Sequence, residues 1–260
     1  MQRLIARMSR LRSSAAPPTA RDLYLDFMKR CLTNWIYADV EATPFDPDAR
    51  RNGRDWPPFA HTMTGMKRLD NVQRCVEAAL AAGVPGDLME TGVWRGGSTI
   101  LMRAILKAHQ VTDRRVWVAD SFRGVPPPNA EQYPADRDDL FYTSKELAVS
   151  LDRVKANFAH YGLLDQQVRF IEGWFRDTLP TAPVERLAVL RLDGDMYEST
   201  TDALTHLYSK LAVGGYLIVD DYGAIPACKE AVHDYRHAHG IRDAIQTVDW
   251  TGVYWRRTGT

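Results

Sequence analysis

The stretch Leu88-Met89-Glu90-Thr91-Gly92-Val93-Trp94-Arg95-Gly96-Gly97-Ser98-Thr99 decides the fold. A short apolar run enters a glycine-rich turn and leaves it as a helix pattern, with Ile100, Leu101, Ala104 and Ile105 on the inward face. Val116–Asp120 (VWVAD), Val168–Glu172 (VRFIE), Leu187–Asp193 (LAVLRLD) and Tyr216–Asp221 (YLIVDD) repeat the strand pattern. Helix patterns at Ser199–Leu211 and from Pro226 to His239 follow the last two. Such alternation predicts an α/β domain with a mostly parallel sheet covered on both faces. Ile245–Asp249 and Val253–Arg257, around Trp250-Thr251-Gly252, predict a closing antiparallel hairpin and so a seven-stranded sheet.

Upstream, Leu23, Phe27, Cys31 and Trp35 recur every four residues, which predicts a helix over Asp22–Val40 packing on the domain or on a second subunit of a homo-oligomer. Residues 44–60, rich in Pro and Arg, read as a loop, and Met66–Ala82 as a helix ending at Gly83. The expected organisation is a disordered basic tail over 1–21, a helical region over 22–83, and a ligand-binding domain over 84–260.

The chain has 260 residues, 45% hydrophobic and 25% charged, with 33 bases against 33 acids. Neutrality argues against a nucleic-acid partner. Yet residues 1–21 carry five Arg and no acid, leaving 28 bases against 33 acids in the rest. The alternatives to a frayed tail are organelle targeting and a partner contact. No apolar run reaches 18 residues, so no membrane span is expected. Cys31, Cys75 and Cys228 lack C-x-x-C spacing and fit reduced thiols of a cytoplasmic protein.

Ligands of open parallel sheets bind beyond the carboxyl ends of the strands. The turn's spacing, E-x-G-x-x-x-G-G, departs from the G-x-G-x-x-G of dinucleotide binders. Asp120, thirty residues after Glu90, is placed to accept hydrogen bonds from ribose hydroxyls; its alternative is a helix N-cap. Glu90 would repel a pyrophosphate and pair with a cation. An adenosine with a positively charged tail, S-adenosylmethionine, satisfies both acids.

Asp193, Asp195, Asp220 and Asp221 end the fourth and fifth strand patterns. Four carboxylates brought together need a cation or proton. Oxygen ligands favour Mg²⁺ over zinc. Asp193, Asp220 and Asp221 are the metal candidates, and Asp195, freed by Gly194, is the candidate general base. Ordinary turn and cap acids are the alternative, and His61 and His160 are weaker base candidates.

The segments HTMTGMKRLDN (61–71), METGVWRGGSTI (89–100), VWVADSFRGVPPP (116–128), LAVLRLDGDMYEST (187–200) and GGYLIVDDYGAIPAC (214–228) resemble the macrocin O-methyltransferase family. So do residues 157–180 and GVYWRR (252–257). The resemblance implies a class I methyltransferase, Rossmann-like fold and Mg²⁺-dependent methylation of a sugar hydroxyl on a glycosylated natural product. It implies cofactor contacts at Glu90, Thr91, Gly92, Gly96, Ser98, Asp120 and Ser121, and adds Met63, Gly173 and Trp174. It also places the metal on Asp193, Asp220 and Asp221 and the base on Asp195. Residues 126–150, polar and Pro-rich, match least and have the composition of a lid. The competing functions are a nicotinamide-dependent sugar oxidoreductase and a catalytically silent binding protein of the same fold.

Overall fold

A computed structural model of the chain describes residues 17–38 and 44–259. Most of the expected tail, with Arg3, Arg7, Arg10 and Arg12, and the end of the expected 22–40 helix lie outside the described residues.

Seven strands form one sheet: β1 (Asp87–Thr91), β2 (Val116–Asp120), β3 (Val168–Glu172), β4 (Leu187–Leu192), β5 (Leu211–Val219), β6 (Gln246–Thr247) and β7 (Val253–Arg256), in the order β3-β2-β1-β4-β5-β7-β6. The first five are mutually parallel; β7 runs antiparallel to β5 and to β6. The order reverses between β1 and β4, which opens a crevice at their carboxyl ends. This is the expected fold, hairpin included.

Around the sheet lie α1 (Ala20–Leu32), α2 (Pro47–Asn52), α3 (Met66–Ala81), α4 (Gly97–Ala108), α5 (Leu151–His160), α6 (Phe175–Thr178), α7 (Tyr197–Leu207) and α8 (Pro226–Ala238). The two-residue period of the strands divides the core. Leu88, Val116 and Val118 pack with α1, α3, α4 and α5. Met89, Trp117 and Ala119 pack on the other face with α7 and α8.

Three expectations need correction. The four-residue stripe on α1 is not its buried face: Leu25, Met28 and Leu32 are buried, while Leu23 and Phe27 are 58% and 55% exposed. Thr19 and Asp22 close a capping box at its start, and Asn34, at φ 52°, turns the chain away just past its end. Residues 44–60 are not all loop. Asp46 caps α2 through the amides of Asp48 and Ala49, Pro47 fits its first turn, and Gly53 ends it in the left-handed region. Finally, Leu211 begins β5 rather than ending a helix, because Arg257 gathers the carbonyls of Tyr208, Ser209 and Leu211 and forces the chain into extended pairing.

Candidate functional site

At the β1 end, Gly92 has φ +82°, and a Cβ there would stand 1.6 Å from the Asp193 carbonyl oxygen. Only glycine lets the turn press this closely on the chain leaving β4. Asp120 ties the turn to β2: its oxygens accept from the Val93 and Phe122 amides, each at 2.7 Å. The Ser121 hydroxyl adds a longer bond to Oδ1 at 3.4 Å, and since a carboxylate offers about four lone-pair sites, capacity for a further hydroxyl donor remains. Asp120 is thus a clasp between two turns, not a helix N-cap.

A cavity of about 810 Å³ opens over these strand ends. Of the residues singled out from sequence, Met63, Glu90, Gly92, Ser98, Asp120, Ser121 and Trp174 line it, as do Asp193, Asp195, Asp220 and Asp221. Thr91, Gly96 and Gly173 stand behind the wall. The Thr91 carbonyl accepts from the Asp193 amide at 2.9 Å, Gly96 makes the positive-φ entry into α4, and the Gly173 amide donates to the Asp120 carbonyl at 2.9 Å. His61 also stands outside the lining, with Nδ1 2.8 Å from the Tyr161 hydroxyl, and His160 is exposed. Burial, then Arg95, pushes the His61 imidazole down to about 4.

Asp193, Asp220 and Asp221 each present a carboxylate oxygen within 4.8 Å of the others. The sequence did not disclose two guanidiniums inserted among these acids. Arg191, fully buried on β4, contacts Glu90, Asp193 at 2.7 Å, Asp220, and the Thr64 hydroxyl at 3.0 Å. Arg68 of α3 contacts Asp220 and, at 3.1 Å, Asp249. A visible signal existed: Arg191 is a charge inside a strand whose other residues are all apolar.

The two arginines divide the acids into different states. Burial alone would raise the Asp220 carboxyl, but Arg191 and Arg68 outweigh it and hold Asp220 below its ordinary value. Asp195 has no such partner. Burial, then Asp193, pushes it up to about 8, and burial with Asp195 drives Asp221 well above the carboxylate range. Glu90 is raised by burial to about 8 despite Arg191, and its Oε2 is buried without a partner. Asp195 also sits at φ 59°, a region few non-glycine residues occupy, and its amide donates to Asp221 at 3.2 Å. The cluster therefore holds more carboxyls than its arginines balance, and the surplus keeps protons that a cation could replace. Its all-oxygen donor set fits a hard divalent cation such as Mg²⁺.

The family model of macrocin-O-methyltransferases matches residues 26–257. The chain belongs to this family. Family membership makes it an S-adenosylmethionine-dependent O-methyltransferase and sets aside the nicotinamide-dependent alternative. Two curated relatives are similar over nearly their whole lengths. The 8-demethyl-8-(2,3-dimethoxy-alpha-L-rhamnosyl)-tetracenomycin-C 4'-O-methyltransferase of Streptomyces olivaceus is 61% identical, covering 92% of this chain and 94% of that protein. The mycinamicin III 3''-O-methyltransferase of Micromonospora griseorubida is 54% identical, covering 94% and 99%. Among solved structures, the O-methyltransferase NovP superposes with a TM-score of 0.89 at 54% identity, covering 92% of this chain and all of that one.

Proposed function

We propose that the enzyme methylates a sugar hydroxyl of a glycosylated natural product, using S-adenosylmethionine as donor and Mg²⁺ held at Asp193, Asp220 and Asp221. The observation that carries this reading is a cluster with more carboxyls than arginines, with Asp195 beside it, in the wall of the same cavity as the glycine turn. When bound, the cofactor supplies an electrophilic methyl group and the cation supplies the positive charge the cluster lacks.

The chain's own residues account for the rest. Glu90, Met63, Gly92 and Ser98 would hold the methionine end of the cofactor and Asp120 and Ser121 its ribose, with Trp174 a further contact from the same cavity lining. Thr91, Gly96 and Gly173 shape the turns that place them. Asp195, raised in the resting site and lowered by any cation beside it, takes the proton from the acceptor hydroxyl. Arg191 and Arg68 fix Asp220, which keeps the carboxylates converged. Among the described residues, no helix is long and apolar enough to cross a membrane. Free Cys31, Cys75 and Cys228 fit a cytoplasmic location.

The relative from Streptomyces olivaceus is named for 8-demethyl-8-(2,3-dimethoxy-alpha-L-rhamnosyl)-tetracenomycin C, so that rhamnoside is the assay acceptor. Turnover should vanish with chelator and return with Mg²⁺; chelator-insensitive turnover would discard the metal. Asp195→Asn should lower kcat by about 10²–10⁴-fold, with S-adenosylhomocysteine affinity by calorimetry nearly unchanged. Retained kcat would move the base elsewhere.

A further inference from the structure

The mouth of the cavity is walled by large aromatic rings. Trp56, Trp94, Phe141 and Trp250 all line it, and none of them belongs to the acid cluster or to the residues proposed for the cofactor. Trp56 is 51% exposed and Trp250 43%. Indole rings this open to water present apolar area that a bound molecule would cover. They are also held in place. Trp250 Nε1 donates to the Asn52 carbonyl at 2.8 Å, and the Arg54 guanidinium carbon stands 5.3 Å from its ring centroid. Trp94 donates to the Glu146 carbonyl at 2.8 Å, and Trp56 meets it edge-on, with centroids 6.4 Å apart and planes at 66°. Rings fixed before binding lose little freedom when a flat molecule stacks on them.

The backbone ties these rings to the reaction centre. The Gly53 carbonyl accepts from Arg68 Nη2 at 3.3 Å, and the Thr251 hydroxyl donates to the Asp220 carbonyl at 2.8 Å. Residues 53–56 and 250–251 therefore form a rim just beyond the Arg68–Asp220 ion pair. A glycoside whose hydroxyl reaches Asp195 has its sugar ring among the carboxylates, and the group on its anomeric carbon is directed outward, to this rim. Sugar hydroxyls find acceptors at the carboxylates. The rim offers ring faces instead, with exposed Arg54 as a donor for a carbonyl or phenolic oxygen. That combination matches a flat, conjugated aglycone bearing oxygen atoms.

We propose that Trp56 and Trp250 determine acceptor specificity by stacking on a flat aromatic aglycone, with Trp94 backing Trp56 and Arg54 backing Trp250. This rests on the sugar O-methylation reading above. It also orders the reactions: a glycosyl transfer that joins sugar to aglycone must supply the substrate, and the sugar without its aglycone is a poor one.

The test uses the sugar of the assay rhamnoside, carrying its two methoxy groups, as the naphthyl, cyclohexyl and methyl glycosides. Wild type should favour the naphthyl glycoside over the other two by about tenfold in kcat/KM. Trp56→Ala and Trp250→Ala should each raise KM for the naphthyl glycoside about tenfold and remove most of the preference. Trp56→Phe and Trp250→Phe, which keep a flat ring, should retain most of it. S-adenosylhomocysteine affinity by calorimetry should be nearly unchanged throughout. Equal kcat/KM of wild type for the naphthyl and cyclohexyl glycosides would overturn the proposal whatever the variants do. Alanine variants that slow all three glycosides by one factor would overturn it too, by putting the sugar on these rings, and a loss of S-adenosylhomocysteine affinity would put the adenine there. No wild-type transfer to the assay rhamnoside itself would overturn the parent reading, and this one with it; transfer to that rhamnoside with no preference among the three glycosides overturns this one alone.

Discussion

Arg191 is the residue on which the site's geometry turns. Its guanidinium meets Glu90 from β1, Asp193 after β4 and Asp220 after β5, so one side chain fastens three strand ends. Replacing it by Met would leave Glu90 buried without its counter-charge, Asp193 unpaired and Asp220 with Arg68 alone, which costs about 3–5 kcal/mol. Calorimetric scans should show a drop of roughly 6–20 °C in melting temperature for a domain this size. Arg191→Lys should fall between, because a point charge cannot reproduce the planar fork. An unchanged melting temperature would remove the guanidinium from the account. The acids of this site were legible as motif residues because Asp and Glu at strand ends stand out from apolar runs. Arg191 was equally visible in LAVLRLD, yet its partners lie 101 residues before and 29 residues after it. Only the strand order β1-β4-β5 brings the three together, and no local spacing encodes that order.

At the scale of elements, β2 and β4 were the most legible strands because both their faces are buried and each is a nearly continuous apolar run. The amphipathic face of α1 was not. An every-fourth-residue row exists on more than one side of a helix, and the side that packs is chosen by α4, which the row itself cannot announce. The segment 126–150 was legible only as composition. Its structure consists of three short 3₁₀ turns, at Pro134–Asp136, Phe141–Thr143 and Lys145–Leu147, and two anchors hold it. Trp94 Nε1 donates to the Glu146 carbonyl at 2.8 Å. Asp136, buried, accepts from the Tyr197 and Glu198 amides at 2.7 and 2.9 Å, and so caps α7 from a distant part of the chain. Asp136→Ala should therefore cost about 1–2 kcal/mol, as loss of an N-cap does, and should speed protease cleavage within 126–150. Destabilisation without faster cleavage there would show that Asp136 serves α7 alone.

For the molecule as a whole, zero net charge conceals an interior crowded with carboxyls where the chemistry is proposed, and this makes stability depend on pH in a definite direction. The Asp195 carboxyl is raised to about 8 from an ordinary value of 3.8. Between those values the folded chain keeps a proton that the unfolded chain releases. Stability from this group is therefore full below about pH 4 and is lost as pH rises through about 8. Asp221, raised by burial and by Asp195, acts in the same direction. Asp195 is only partly buried in the cavity wall, so its share stays under the ~1.4 kcal/mol per pH unit of one whole proton. A divalent cation takes the place of those protons and binds the folded chain alone, so its stabilisation grows as the protons become easier to remove. Chelator-treated protein should melt at progressively lower temperature from pH 6 to pH 9. Saturating Mg²⁺ should flatten that decline, with a larger upward shift at pH 9 than at pH 6. A Mg²⁺ shift independent of pH would mean that the cation and the protons occupy different places, and the carboxylates at the ends of β4 and β5 would then have to be neutralised by Arg191 and Arg68 alone.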